Sequence, residues 1–444
     1  MAGPLLALAL LGLAGSGLGL WARRRPRLAP KLLPDVALAT VAVAFGVLTS
    51  AEGQLLWAEM LPPDPLGRVL AALYLAAWGL WMAAGRAAPS AWALYLLEVW
   101  GGLLALTGGN ALLLWVGLGV YAVAELTQDG RSQAADALAP EALGLALLLL
   151  GLVLLYLAEG TFDLALLGRR LWARGGLQAE LAALGALLSL AGIALATHLL
   201  PPYDLPGQGR EALPALLGGG LLLRLGVGSF GALAWLWPWV LLAGALLALL
   251  WGLREALLAP DARRQLGQLA IAQQGFILLA LAWAHHPQGL YAALASLTAY
   301  GLAQTGLGLV LCHVYGWQEA PTPYEPLSGL ARHAPGLAAP LAIQLLSLAG
   351  LPALLGYGAR AAALGILRRG GEVWLFIAGV AGSILCGWLY LRLVVMVLHD
   401  PAPRQAKVPR SWRLHLVAGS VALGLLLLGL YPKPLADLAR LIGG

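Results

Sequence analysis

Apolar and polar positions alternate along the chain in long blocks. Apolar runs of about 20 residues, the length that crosses a bilayer as one helix, are separated by short segments rich in Pro, Gly, Arg and Asp. The first run is 4–21. Others follow at 32–51, 68–86, 90–107, 110–127, 140–160, 178–198, 212–235, 237–258, 264–284, 288–315, 336–366, 372–398 and 411–432. The pattern predicts an all-α polytopic membrane protein of about fourteen transmembrane helices. No stretch carries the period-2 alternation of a membrane barrel. Inside the 336–366 run, Pro352 removes a backbone hydrogen bond among neighbouring glycines, so a broken helix is predicted there.

The cluster Arg23, Arg24, Arg25, Arg27 and Lys31 follows the first run. A secretory signal carries its positive charges before the apolar core. The 4–21 run is therefore read as a retained span, with its N-terminus outside and the cluster in the cytoplasm. Counted with that cluster, loop Lys and Arg fall about two to one on its side, with Arg169, Arg170 and Arg174 the main exception. The expected location is a cell inner membrane, crossed many times.

Composition narrows the class further. Of 444 residues, 60% are hydrophobic and 11% charged, and the mean hydropathy is +0.82. That is too little charge to solvate a soluble globule and too much apolar surface for a disordered chain. Two cysteines, Cys312 and Cys386, both in apolar runs, exclude a disulfide scaffold. The net charge of +6 sits in short loops, so it reads as topology and not as nucleic-acid affinity. The longest non-apolar segments, 128–139, 199–211, 316–335 and 399–411, are too short for a nucleotide fold. Gly218, Gly219 and Gly220 lie within an apolar run, where glycines permit close helix contact. No cofactor and no metal site is expected. Leu, Ala and Gly are abundant, Arg outnumbers Lys 24 to 3, and Asn110 is the one asparagine, a usage that points to a GC-rich thermophile.

An ionisable side chain inside a span costs several kcal/mol, by scales running from about 3 to over 10, so each is a candidate site. Arg224 follows Gly218–Leu223 near the middle of the 212–235 run, too deep to snorkel. Arg360 follows Pro352 and its glycines, where a broken helix with a nearby charge is typical of an ion pathway. Glu98 lies mid-run in Tyr95-Leu-Leu-Glu-Val-Trp100 and is a plausible partner for a buried arginine. His198 ends a run before Pro201 and Pro202. Arg263 belongs to a polar entry into the 264–284 run.

Four stretches, in order and spacing, carry a resemblance. They are Tyr156-Leu-Ala-Glu-Gly-Thr-Phe-Asp-Leu164, the loop from His198 through Pro202 and Asp204 to Pro214, Asp261-Ala-Arg-Arg264 running on through Ile271-Ala-Gln-Gln-Gly275-Phe276, and Ser347-Leu-Ala-Gly-Leu-Pro352-Ala-Leu-Leu-Gly-Tyr-Gly-Ala-Arg360. The third is similar to Asp-x-Lys-Arg-x-Leu-Ala-Tyr-Ser-Ser-Ile-x-His-x-Gly-Tyr and the last to Ser-Leu-x-Gly-x-Pro-Pro-x-x-Gly-Phe-x-x-Lys. Together they resemble the antiporter-like membrane subunits of respiratory complex I and of Mrp-type antiporters, most of all the N-type subunits of NADH-quinone oxidoreductase. The resemblance implies fourteen spans, with two inverted five-helix repeats over 90–235 and 237–398 and broken helices at the seventh and twelfth positions. Flanking spans would occupy 1–107 and 399–444. It further implies a non-catalytic membrane-arm subunit of a redox complex, contributing to proton translocation or sealing the membrane arm. Its partners would be other membrane subunits and the lipid bilayer, and no nucleic acid. The alternatives are an Mrp-type cation/proton antiporter component, or an unrelated transporter or scaffold.

The departures from that pattern carry chemistry. The expected carboxylate of the fifth span falls on Gly119 and the expected lysine of the seventh on Ala191. The remaining two lysines fall on Arg224 and Arg360. Lysine shifts its pKa when buried and can lose its proton, whereas arginine stays charged. Arg224 and Arg360 are therefore expected as fixed charges that hold water, pair with a carboxylate or set a barrier. Where the partner is a carboxylate, Arg360→Ala leaves it unpaired at a cost of about 3–5 kcal/mol.

Overall fold

A computed structural model of the chain describes residues 29–49, 64–84, 91–128, 135–171, 177–201, 212–230, 235–315, 326–400 and 411–443, with isolated positions at 11–17, 233 and 324. The 4–21 span, the 23–31 basic cluster and the loop holding Asp204 lie outside the described residues. Every regular element among those described is helical: α1 Ala29–Thr49, α2 Pro65–Ala84, α3 Ala91–Thr107, α4 Ala111–Gln128, α5 Ala135–Glu159, α6 Leu164–Leu171, α7 Leu177–Ala196, α8 Ala212–Gly228, α9 Trp237–Leu258, α10 Ala262–Leu281, α11 Pro287–Tyr315, α12 Leu330–His333, α13 Pro335–Ala349, α14 Leu355–Gly370, α15 Val373–His399, α16 Trp412–Leu430 and α17 Lys433–Gly443. Among the described residues, 7 helices are long and apolar enough to cross a membrane: α2, the 140–159 part of α5, α7, α9, α11, α15 and α16. Shorter apolar helices lie at α1, α3, α4, α8 and α13.

The chain divides into two compact units, residues 1–198 with 220–235, and residues 199–219 with 236–444. In the first, α5 and α7 pack backbone to backbone. A Cβ placed on Gly192 would come 2.5 Å from the Leu148 nitrogen, and one on Gly144 would come 2.6 Å from the Ala196 nitrogen. Small residues permit this approach, and the gain is dispersion and weak backbone contact in a medium with no hydrophobic drive between helices. The link between α5 and α6 is pinned onto the link between α3 and α4: the Ala111 N–H donates to Phe162 O at 2.8 Å, and Leu164 N–H to Gly109 O at 3.0 Å. Asp163 then caps α6, accepting from Leu166 N–H at 2.8 Å.

In the second unit, α11 is buried along almost its whole length and forms the centre. α10 starts at Asp261, whose side chain accepts from Arg264 N–H. The break predicted at Pro352 is present. α13 ends at Gly350 in the left-handed conformation (φ 80°), and α14 begins at Leu355. Gly356 passes so close to Ser347 that a Cβ there would collide with its carbonyl oxygen.

Three expectations change. The 212–235 run does not continue as helix to its end, because Ser229 and Phe230 N–H groups both turn back to Leu225 O at Gly228. The 178–198 run is an uninterrupted helix to Ala196 and ends in a turn with His198 at φ 54°. Arg169 and Arg170, the exceptions to the charge bias, sit on the short α6, which buries Leu164, Leu167 and Gly168 and exposes both arginines. They lie on an amphipathic element beside the spans and not in a simple loop.

Candidate functional site

Arg224 is 6% exposed, but it sits four residues from the end of α8, not at mid-span, because the helix stops at Gly228. Its Nε donates to Asp64 Oδ2 at 2.7 Å. Its Nη1 donates to Gly108 O at 2.7 Å and Ala105 O at 3.4 Å. Asp64 caps α2 with its other oxygen, accepting from Leu66 N–H at 3.0 Å. The guanidinium is thus wedged between the capped N-terminus of α2 and the C-terminal carbonyls of α3. A permanent cation there completes orphan acceptors and opposes the partial negative charge of the helix end.

Glu98 is buried on α3, and its backbone carbonyl accepts from Tyr74 Oη at 3.3 Å. It does not reach Arg224: Ala105, which does, lies seven residues further along the same helix, about 10 Å. The carboxylate that serves Arg224 is Asp64, which lies ahead of the 68–86 run and was not singled out from the sequence. Its signal was the Asp-Pro pair at 64–65, a helix N-terminus signature.

Arg360 is also 6% exposed. Its Nη1 donates to Ala349 O at 3.0 Å and Ser383 Oγ at 3.1 Å. Its Nη2 donates to Gln273 Oε1 at 2.9 Å and to Leu348 O. The Phe276 ring lies under the guanidinium, 4.5 Å from carbon to centroid, a cation–π contact. Gln273 Nε2 donates in turn to Leu348 O at 2.7 Å. Among the described residues no carboxylate pairs with Arg360, so of the roles open to it the ion pair is not seen. The physical reason is the break at Pro352. It leaves the last carbonyls of α13 without intrahelical donors, and the guanidinium supplies those donors. Gln273 stands where the quoted motif has His, so two titrating positions of that motif carry groups that do not titrate near neutrality. A cavity of about 20 Å³ beside Arg360, lined by Gln273, Ser296, Tyr300 and Ser347 among others, has room for about one water.

Arg263 lies at the second residue of α10, buried, 5.9 Å from the Tyr315 ring centroid. Ten residues, about 15 Å of helix, separate it from Gln273, so it is not part of the Arg360 cluster. His198 is brought to Glu141 on α5, Nε2 to Oε1 3.2 Å. Glu141 was not singled out from the sequence. The signal it carried was a carboxylate directly after Pro140, at the start of the 140–160 apolar run.

Comparison with known proteins agrees with these local matches. The family profile described as NADH:quinone oxidoreductase/Mrp antiporter, TM, matches residues 213–386. NADH-quinone oxidoreductase subunit N of Cupriavidus taiwanensis is 26% identical over 430 residues, covering 89% of this chain and 87% of its own length. The protein of the same name from Geobacter metallireducens is 31% identical over 319 residues, covering 68% of this chain and 65% of its own. Among solved structures, a chain of respiratory complex I from Thermus thermophilus has 24% identity and a TM-score of 0.75, covering 97% of this chain and 98% of that one. A chain of the Mrp complex from Dietzia sp. has 21% identity and a TM-score of 0.80, covering 99% of this chain and 52% of that one. At these identities the structural likeness concerns the fold.

Proposed function

We propose that the chain, whose residues 213–386 match the NADH:quinone oxidoreductase/Mrp antiporter profile and which resembles subunit N over most of its length, is a membrane-arm subunit of a complex I-type oxidoreductase or a related energy-converting complex. In that role it sits in a bacterial inner membrane beside other membrane subunits, with the redox chemistry in partner subunits of the complex, and contributes to proton translocation or to sealing the membrane arm. The single observation that carries this reading is the helix interrupted at Pro352 with Arg360 sealed into the break. It lies inside the segment that matches the family.

The same reading gives the chain about fourteen spans, with inverted repeats over 90–235 and 237–398 flanked by 1–107 and 399–444. Arg224, Arg360, Glu98, Arg263 and His198 are its buried-charge positions. The near-full-length coverage of both chains in the subunit N match supports the complex I-type reading over the Mrp-type one. A GC-rich, thermophilic source remains a reading of composition alone.

Because arginine keeps its proton, Arg360 acts as a standing positive charge. Such a charge repels protons and cations from the break and makes the second unit a seal at that point. Purification of the tagged chain from its own membranes in mild detergent tests the assignment. Several other hydrophobic subunits and an iron–sulfur protein should come with it. A chain that purifies alone, from membranes active in electron transfer, overturns the reading.

A further inference from the structure

Glu141 and His198 form a buried acid–base pair that the two arginines cannot replace. The Glu141 side chain is 3% exposed and that of His198 11%, with Nε2 3.2 Å from Oε1. The pair is built into the backbone. α5 and α7 touch at Gly144 and Ala196, within one turn of Glu141 and of His198, so the separation of the two side chains is not free to relax. His198 is held in the left-handed region at φ 54°, a conformation side-chain-bearing residues rarely adopt. Glu141 Oε2 is buried without a hydrogen-bond partner among the described residues. A buried polar atom of that kind calls for an explanation.

The register between α4 and α5 adds a second observation. Trp115 Nε1 donates to Leu145 O at 2.9 Å. One turn further along α4 is Gly119, and one turn back along the antiparallel α5 is Glu141, so the two stand at the same level. Space beside Gly119 is open, with nothing within 4 Å of a Cβ placed there. A carboxylate absent from α4 is thus present at the same height on the neighbouring helix.

We propose that Glu141 and His198 are the proton-exchange site of the first unit, a proposal that rests on the membrane-arm reading above. A carboxylate accepts from Nε2–H, so the exchanging proton is the one on Nδ1. In the loaded state an imidazolium faces the carboxylate. In the unloaded state a neutral imidazole does, and one proton has left for water, with no other reactant. Other described titratable groups stand apart. Glu125 on α4 lies towards the same end of the bundle. Glu159 on α5 and Glu180 on α7 sit eighteen residues from Glu141 and His198 respectively, about 27 Å of helix.

The test uses the whole complex purified with Glu141→Gln, His198→Gln and Glu141→Asp variants of this chain. Three quantities are read for each: assembled complex, redox turnover, and protons moved per electron pair in sealed vesicles. Glu141→Gln and His198→Gln should assemble and lower the proton ratio by the same amount, with Glu141→Asp restoring most of it. An assembled Glu141→Gln complex with an unchanged ratio overturns the proposal. If that variant does not assemble, the unmodified complex is treated with diethylpyrocarbonate, which acylates neutral imidazole, and its histidines are mapped by mass spectrometry. Labelling of His198 that quickens as pH rises supports exchange there, and labelling of other histidines without His198 overturns it. Redox partners missing from the purified sample would count against the membrane-arm reading instead, while the labelling outcome still decides the pair.

Discussion

Replacing Arg360 with Met removes every donor while keeping most of the stem over Phe276. Two buried acceptors, Ala349 O and Gln273 Oε1, then lose the guanidinium, as does the half-buried Ser383 Oγ, which water can reach, whereas Leu348 O keeps Gln273 Nε2. An orphaned buried acceptor costs about 1–3 kcal/mol, or about 2–6 kcal/mol for two. Losing the cation–π contact adds about 0.5–2 kcal/mol. Against this stands relief of a buried charge with no carboxylate partner, worth several kcal/mol. The net expectation is a modest loss, under about 3 kcal/mol and smaller than the removal of one partner of a buried ion pair. The assay is the thermal midpoint of the assembled complex, read beside the proton ratio. Arg360→Met should lower the midpoint slightly and reduce assembly before it alters the ratio. Arg360→Lys should behave differently, because a buried lysine can lose its proton; a pH-dependent ratio absent from the unmodified complex is the expected sign. Arg360→Met with normal assembly and a lowered ratio would show that the guanidinium works in a proton path, and the seal would be wrong. A collapse of assembly far beyond 3 kcal/mol would show that a charge partner had been overlooked.

Two further outcomes test packing and pH. Gly192→Ala forces a Cβ to within 2.5 Å of the Leu148 backbone nitrogen and should cost about 1–3 kcal/mol as α5 and α7 separate. Gly119→Ala, with open space around it, should be neutral or slightly stabilising; equal melting of the two variants in detergent would refute the backbone contact. His285 lies in the turn between α10 and α11, where burial, and then the neighbouring His286, hold its pKa below the ordinary 6.5. The folded chain keeps it neutral while the unfolded chain protonates, so its contribution to stability is present above about pH 6.5 and is lost on acidification below that. His285→Gln should therefore lose less stability than the unmodified chain on going to lower pH, and identical pH slopes of the melting midpoint would contradict this.

What the sequence made legible follows from what local pattern can encode. Membrane placement and helical class follow from run length, and the break at Pro352 from one missing N–H among glycines. All of these are properties of neighbours along the chain. The charge partners were not legible, because they depend on which helix ends meet. Asp64 and Arg224 are 160 residues apart, and Glu98 looked the better partner only because it lay deeper in an apolar run. The position of Arg224 was misjudged for a local reason: leucines continue past Gly228 to Leu236, so the run hid the helix end. Gln273 was visible as a polar residue in a motif, but its role required the carbonyls of α13 to be in reach.

Both buried arginines end up in the same kind of place. Arg224 closes the C-terminus of α3 through Ala105 and Gly108, and Arg360 closes the C-terminus of α13 through Leu348 and Ala349. Each of them also reaches a side-chain acceptor at an angle that a planar, forked cation can span and a single ammonium cannot cover as well. At such a site the geometry rewards arginine, and the acid–base chemistry excludes it from any step that needs proton release. A chain that places arginine at both positions has fixed the helix ends at the expense of exchange there. Any proton this chain handles must then be carried by carboxylates and imidazoles elsewhere, and in the first unit the described pair with that chemistry, at hydrogen-bond distance, is Glu141 with His198.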